Sequence, residues 1–298
     1  MIEVIKDLIK AIIYGIVEGI TEWLPVSSTG HLILLEEFLG FRAGDTVGTE
    51  LMNEFLEMFE VVIQLGAILA VVVIFWKKLW PFGKKKGPAE KKSTFSLWAR
   101  VLVASMPAAI MGILGDKLLE KFTGRDIDGW LYNAYVVAAA LVVYGVLFIV
   151  IEKLNKNKTY EVTDVADISY SKAFSIGIFQ MLAMIPGTSR SGSTILGSMC
   201  MGLSRGAAAE FSFFMAIPVM AGASAIKALG FFKYIFEGGV SVPTEMWLIL
   251  GVGCLTAFLV SLAAIRFLTD FVKRHSFSVF GVYRIILGIA VILYFALR

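Results

Sequence analysis

Charged side chains are scarce in this chain: they make up 17% of its 298 residues, where about 25% is usual in soluble domains. So few charges cannot solvate a folded surface of this size. That excludes an ordinary soluble protein and makes lipid the main solvent. Cysteine is scarcer still, with only Cys200 and Cys254, both in apolar stretches. They read as small core residues and exclude a disulfide framework or a cysteine metal site. Histidine occurs only as His31 and His275; the latter lies beside Lys273 and Arg274 and reads as a solvated loop residue. The N-terminus, MIEVIKDLIKAIIYG, carries acids and lacks a small-residue cleavage site, so it reads as mature chain and not as a signal peptide. The net charge of +3 is uninformative by itself; the placement of the lysines is not.

Apolar sequence is abundant, at 58% of residues with a mean hydropathy of +0.79. Six segments, 55–76, 96–114, 130–151, 209–227, 246–267 and 278–297, are long enough to span a bilayer, which takes about 20 helical residues. Regions 4–40 and 170–204 are also apolar but are interrupted by LPVSSTGH at 24–31 and PGTSRSGST at 186–194. Their halves, about 10–15 residues each, are too short to cross, so each region predicts a re-entrant helical hairpin. The expected fold is an all-α integral membrane protein, a single domain over 1–298. Six transmembrane helices and two re-entrant hairpins form an inverted-topology repeat, 1–151 and 170–298, because three spans follow each hairpin. Gly15-Ile16-Val17-Glu18 parallels Gly177-Ile178-Phe179-Gln180, each followed by a proline and a serine-rich turn.

Loop 77–95 holds seven lysines against one acid, Glu90, and should be cytoplasmic. Alternation then places 152–170 and 268–277 inside, 115–129 and 228–245 outside, and both termini outside. The first hairpin enters from outside and the second from the cytoplasm.

Two constellations carry chemistry. In the first, Glu18 and Glu22 share one helix face a turn apart, ahead of Pro25, Ser27, Ser28, Thr29, Gly30 and His31. Paired carboxylates at membrane depth are costly and mark a functional site. They suit Mg²⁺ or Ca²⁺, with diphosphate oxygens completing the shell; alternatively one acts as general base or orients a nucleophile. In the second, Ser189, Arg190, Ser191, Ser193 and Thr194 follow Pro186 and Gly187 at the start of a helix. Free N–H groups there make an anion site, and Arg190 adds a planar cationic fork. Its partner is either a phosphate or one of the acids Glu18 and Glu22. Acids, hydroxyls and an imidazole on one hairpin and an anion cradle on the other make a phosphoryl-transfer site. A lipid-embedded site implies a substrate with a lipid tail. Glu57, Glu60 and Gln64 share one face of their span and Glu210 begins another. Gln64 and Glu210 are candidates to support the site, while Glu57 and Glu60 mark the membrane boundary.

At these residues, EGITEWLPVSSTGH and PGTSRSGST, the chain resembles the undecaprenyl-diphosphate phosphatase family, also called the bacitracin-resistance protein family, over essentially its whole length. The resemblance implies hydrolysis of undecaprenyl diphosphate to the monophosphate and phosphate, recycling the lipid carrier of cell-wall synthesis in the bacterial plasma membrane. It implies metal-binding or acid/base roles for Glu18 and Glu22, and diphosphate binding by Arg190. Ser28 or His31 would be the nucleophile or its partner. Ser27, Thr29, Ser189, Ser191 and Thr194 would line the pocket. Dependence on a divalent cation and an outward-facing site follow in the same way. The expected partners are the polyprenyl diphosphate and the bilayer, with no nucleic acid; whether the chain forms a homodimer is left open. The rival reading is a lipid-phosphate transporter or flippase, which needs Arg190 but has little use for a nucleophile with paired acids.

Overall fold

The computed structural model describes residues 2–39, 48–83, 86–115, 121–124, 131 and 133–297. Among them the structure is helical and no strand forms. The main helices are α1 (Ile2–Thr21), α2 (Ser28–Leu39), α3 (Thr49–Ile74), α4 (Pro88–Ile110), α5 (Ala134–Asn155), α6 (Tyr170–Met181), α7 (Arg190–Cys200), α8 (Arg205–Gly238), α9 (Thr244–Arg274) and α10 (Ser278–Leu297). Six of them, α3, α4, α5, α8, α9 and α10, are long and apolar enough to cross a membrane, and the chain is a multi-pass membrane protein.

The helices outrun the apolar windows. Helix α8 continues to Gly238 and α9 to Arg274, where loops were expected from 228 and 268, and α4 already begins at Pro88 within the expected loop 77–95. Lysine, glutamate and arginine are good helix formers, so hydropathy marks where lipid contact stops and not where the helix does. Helix α1 is likewise longer than the half-hairpin expected, because its polar start is helical too. It shows an exposed stripe of Ile5, Ile9, Ile12, Ile16 and Ile20 at the spacing of one helix face. The expected loop 115–129 lies largely outside the described residues. Cys200, expected in the core, is exposed at the end of α7, while Cys254 is half-buried; both are free thiols.

The helices of the two broken regions pack on spans of the opposite half: α1 lies on α9 and α6 lies on α4, while α5 pairs with α10. Glycine makes these approaches close. A Cβ on Gly15 would sit 2.7 Å from the Gly253 carbonyl, and one on Gly145 or Gly281 would sit 2.6 Å from the other's carbonyl. Without a hydrophobic drive between helices in lipid, such backbone proximity is what packing has to offer.

One end of the bundle is tied by ions. Arg205 donates through Nε and Nη2 to the buried Glu152 carboxylate at 2.9 and 2.6 Å. Glu152 also accepts the Phe277 N–H at 2.7 Å, and Lys78 pairs with Glu210 at 2.6 Å. These contacts gather segments 77–95, 152–170 and 268–277 at the same end. Glu210 therefore supports the lysine loop and not the site.

Candidate active site

Each broken region turns on a serine with positive φ. Ser27 (φ 74°) follows α1 and precedes α2; Ser189 (φ 73°, ψ 126°) follows α6 and precedes α7. Such angles are sparsely populated by residues with a Cβ and cost on the order of 1–3 kcal/mol each. The hydroxyls offset part of that strain by capping: Ser27 Oγ accepts the Gly30 N–H at 3.3 Å and Ser189 Oγ accepts the Gly192 N–H at 3.1 Å. The caps leave the N–H groups of Ser28, Thr29, Arg190 and Ser191 without acceptors inside their own helices. The two helix starts thus offer an anion donors and the positive ends of two dipoles. Sequence register follows the same pairing at one constant spacing: Gly15 with Gly177, Glu18 with Gln180, Ser27 with Ser189, Gly30 with Gly192.

The turns meet through side chains. Ser28 Oγ donates to Glu22 Oε2 at 3.0 Å, while Arg190 Nη2 and Nε donate to Glu22 Oε1 at 2.9 and 3.3 Å. A hydroxyl therefore faces a carboxylate that is held from its other side by a guanidinium, within reach for a proton to pass between them. Arg190 Nη1 is anchored on the Ser212 carbonyl at 2.7 Å, and its guanidinium lies over Trp23 at 6.0 Å. Of the partners expected for Arg190, Glu22 is the one it meets here.

Glu22, Ser28, Thr29, Ser189 and Arg190 line one cavity of about 700 Å³, and Gln64 lines it as well. Its remaining wall is mostly apolar, from Leu102 and Met106 to Val219 and Ile226, and Lys227 also lines it, paired with Glu57 at 2.9 Å. The other expected residues stand behind this surface. Ser191 Oγ donates to the Glu22 carbonyl at 3.0 Å, and Thr194 Oγ1 bonds Ser212 Oγ at 2.7 Å and the Arg190 carbonyl at 2.9 Å. Ser27 is fully buried as the cap. His31 Nδ1 lies 2.7 Å from the Ser27 carbonyl, which can only accept, so this nitrogen carries hydrogen. Its Nε2 meets the Tyr283 hydroxyl at 2.6 Å, and the ring does not line the cavity.

Glu18 is fully buried and neither carboxylate oxygen has a hydrogen-bond partner. It shares its surroundings with Glu22, Glu60 and Arg190. A bare carboxylate one turn from a second suits a hard divalent cation that takes one or two protein carboxylates and fills its shell with phosphate oxygens. Among the described residues no group of three His, Cys, Asp or Glu side chains gathers for a metal. The protein would supply these two.

Sequence reasoning missed Arg284. This fully buried arginine of α10 donates to the carbonyls of Pro25 (3.2 Å), Gly187 (2.7 Å) and Thr188 (2.8 Å), and so fastens both turns at once. A cation inside an apolar span, about a third of the way along it, was the available signal.

With this geometry in place, comparison with known proteins is direct. The family model described as bacitracin resistance protein BacA matches residues 11–290. An undecaprenyl-diphosphatase of Acetivibrio thermocellus is 52% identical over 290 residues, covering 97% of this chain and 98% of its own. Undecaprenyl-diphosphatase 1 of Clostridioides difficile is 50% identical (98% and 97% covered) and an undecaprenyl-diphosphatase of Enterococcus faecalis is 51% identical (96% and 96% covered). Two serine turns, the Ser28–Glu22–Arg190 contact and a match spanning nearly every residue agree: this chain belongs to the bacitracin resistance protein BacA family.

Proposed function

We propose that this chain is a membrane phosphatase that hydrolyses undecaprenyl diphosphate to undecaprenyl phosphate and inorganic phosphate in the bacterial plasma membrane. The observation that carries this reading is the Ser28 hydroxyl donating to Glu22 while Arg190 holds the same carboxylate. In the mechanism that fits, the terminal phosphate sits on the N–H groups of the two helix starts and on Arg190. Glu22 takes the Ser28 proton as Ser28 Oγ forms a bond to the terminal phosphorus. The bridging P–O bond breaks, and the lipid monophosphate leaves with the electron pair. Glu22 passes its proton to the departing monophosphate. Water then attacks the phosphoserine, its proton moves through Glu22 to Ser28 Oγ as the Oγ–P bond breaks, and phosphate is released. Positioning and charge neutralisation supply most of the rate in such transfers. Thr29 and Ser189 line the phosphate pocket, Ser191 and Thr194 brace it, and His31 holds the first turn.

Glu18 and Glu22 would hold Mg²⁺ or Ca²⁺, which supplies neutralisation of diphosphate charge when bound. The mostly apolar wall of the cavity suits the prenyl tail.

Helices α2, α6 and α7 have 12, 12 and 11 residues and reach only about 16–18 Å, against a hydrocarbon core of about 30 Å. That supports a re-entrant second region and a short α2, while α1 with 20 residues is as long as a span; the matched serine caps support an inverted repeat. The lysines of 77–95 favour a cytoplasmic position for the end of the bundle that carries them. The cavity would then open outside, near Lys227. The carrier reading gains nothing from the relatives, whose names are those of diphosphatases.

The test is phosphate release from undecaprenyl diphosphate by detergent-purified protein, with and without EDTA. Beside it run Arg190→Ala and Glu22→Gln, each expected to lose on the order of 10³-fold in rate. Wild-type rates in either folded variant would sink the mechanism, and no release by folded wild type under any cation would sink the function.

A further inference from the structure

Gln180 stands at the position in α6 that Glu18 holds in α1, counted from the matched serine turns. It is buried, at 2% exposure, and neither its amide oxygen nor its amide nitrogen has a hydrogen-bond partner. Its side chain lines the same cavity as Glu22, Ser28, Thr29, Ser189 and Arg190. A buried primary amide with both ends unsatisfied is unfavourable, and an apolar residue of similar shape would suit the wall better unless a ligand completes the bonds. The neighbours of Gln180 on the wall from the same segment, Ala183 and Met184, are apolar.

We propose that Gln180 is a further substrate-binding residue, whose amide N–H₂ donates to an oxygen of the diphosphate seated at the two helix starts. This rests on the phosphatase reading and names a contact within it. The chemistry explains why the second half carries an amide where the first carries an acid. Glu22 already brings one carboxylate to the cavity, where Arg190 pairs with it, and a second carboxylate without a cation of its own would repel the phosphate. An amide keeps the shape and can donate. Glu18 escapes that constraint because a bound cation would neutralise its charge.

The experiment uses the full-length protein in detergent and two near-isosteric variants, Gln180→Met and Gln180→Glu. Three quantities are read: KM and kcat for undecaprenyl diphosphate, the Kd of inorganic diphosphate by calorimetry, and the thermal midpoint. Met should raise KM and Kd about tenfold, the effect of losing one hydrogen bond to a charged ligand. It should change kcat less than about threefold and leave the thermal midpoint equal or higher. Glu should raise KM and Kd further, about a hundredfold, as a like charge enters the cradle. A purely structural amide would lower the midpoint and leave Kd alone. Wild-type KM and Kd in either folded variant overturn the proposal. If folded wild type binds inorganic diphosphate in a Gln180-dependent way yet releases no phosphate, the phosphatase reading fails and the binding role stands.

Discussion

The two serine turns share a backbone and differ in nearly every group that does chemistry. Ser27 and Ser189 have φ values of 74° and 73°, each caps the glycine three residues on, and each turn precedes a short helix. At matched positions the first turn presents Glu18, Ser28 and His31, and the second presents Gln180, Arg190 and Ser193. One turn carries the acids and the hydroxyl that donates to one of them; the other carries the cation and the neutral donors. Two turns of the same backbone geometry therefore open two helix starts, and a handful of side chains sets them apart. On both sides the positive-φ serine caps its helix at the third residue and leaves the first two N–H groups without an intrahelical acceptor.

The strongest way to break this pairing is through Arg284, which bonds both turns. Replacing it by Met keeps bulk but leaves the carbonyls of Pro25, Gly187 and Thr188 buried without this donor. Each unsatisfied carbonyl costs about 1–3 kcal/mol, so Arg284→Met should lose ~3 kcal/mol or more and most of the activity. Thermal unfolding in detergent reads the first and phosphate release the second. Arg284→Lys should recover only part of the stability, since an ammonium lacks the fork that reaches two turns. Wild-type stability in the Met variant would mean that the turns are held by their own helices.

A smaller effect sharpens the equivalence of the two caps. At a positive φ, Ser→Ala loses the capping hydroxyl and keeps the strain, whereas Ser→Gly loses the cap and relieves the strain. Ser27→Gly and Ser189→Gly should each be more stable than the matching Ala variant, by about 1–2 kcal/mol. The same order at both positions is expected in thermal melts. Opposite orders would show that one turn only resembles the other.

Much of this was legible beforehand. Apolar runs of spanning length mark all six spans, because lipid contact is a local property of sequence. The turns are legible because proline, glycine and serine interrupt those runs, and Gly177 to Gln180 already echoes Gly15 to Glu18. What stayed hidden depends on distant chain segments meeting. Nothing near Arg284 in sequence reports that its guanidinium reaches carbonyls of residues 25 and 187. Nor does the residue string at 18–31 tell that Ser28, and not His31, shares the Glu22 carboxylate. Helix ends were misplaced for a related reason: charged residues such as Lys233 and Glu237 of α8, or Lys273 and Arg274 of α9, continue a helix past the apolar window.

The smallest effect concerns the fourth residue after each turn serine, where both halves reach a tyrosine of the α5–α10 pair. His31 Nε2 meets Tyr283 of α10 at 2.6 Å, and Ser193 Oγ meets Tyr144 of α5 at 3.5 Å. If His31 serves the first turn by donating Nδ1–H to the Ser27 carbonyl, Tyr283 only steadies the far side of the ring. Tyr283→Phe should then lower kcat about threefold, the worth of one modest hydrogen bond. Tyr144→Phe, removing the longer contact, should change it less. A loss beyond a hundredfold in Tyr283→Phe, with the fold intact, would show that the imidazole moves a proton in the reaction. The two tyrosines would then be equivalent in position and not in role, as Glu18 and Gln180 are.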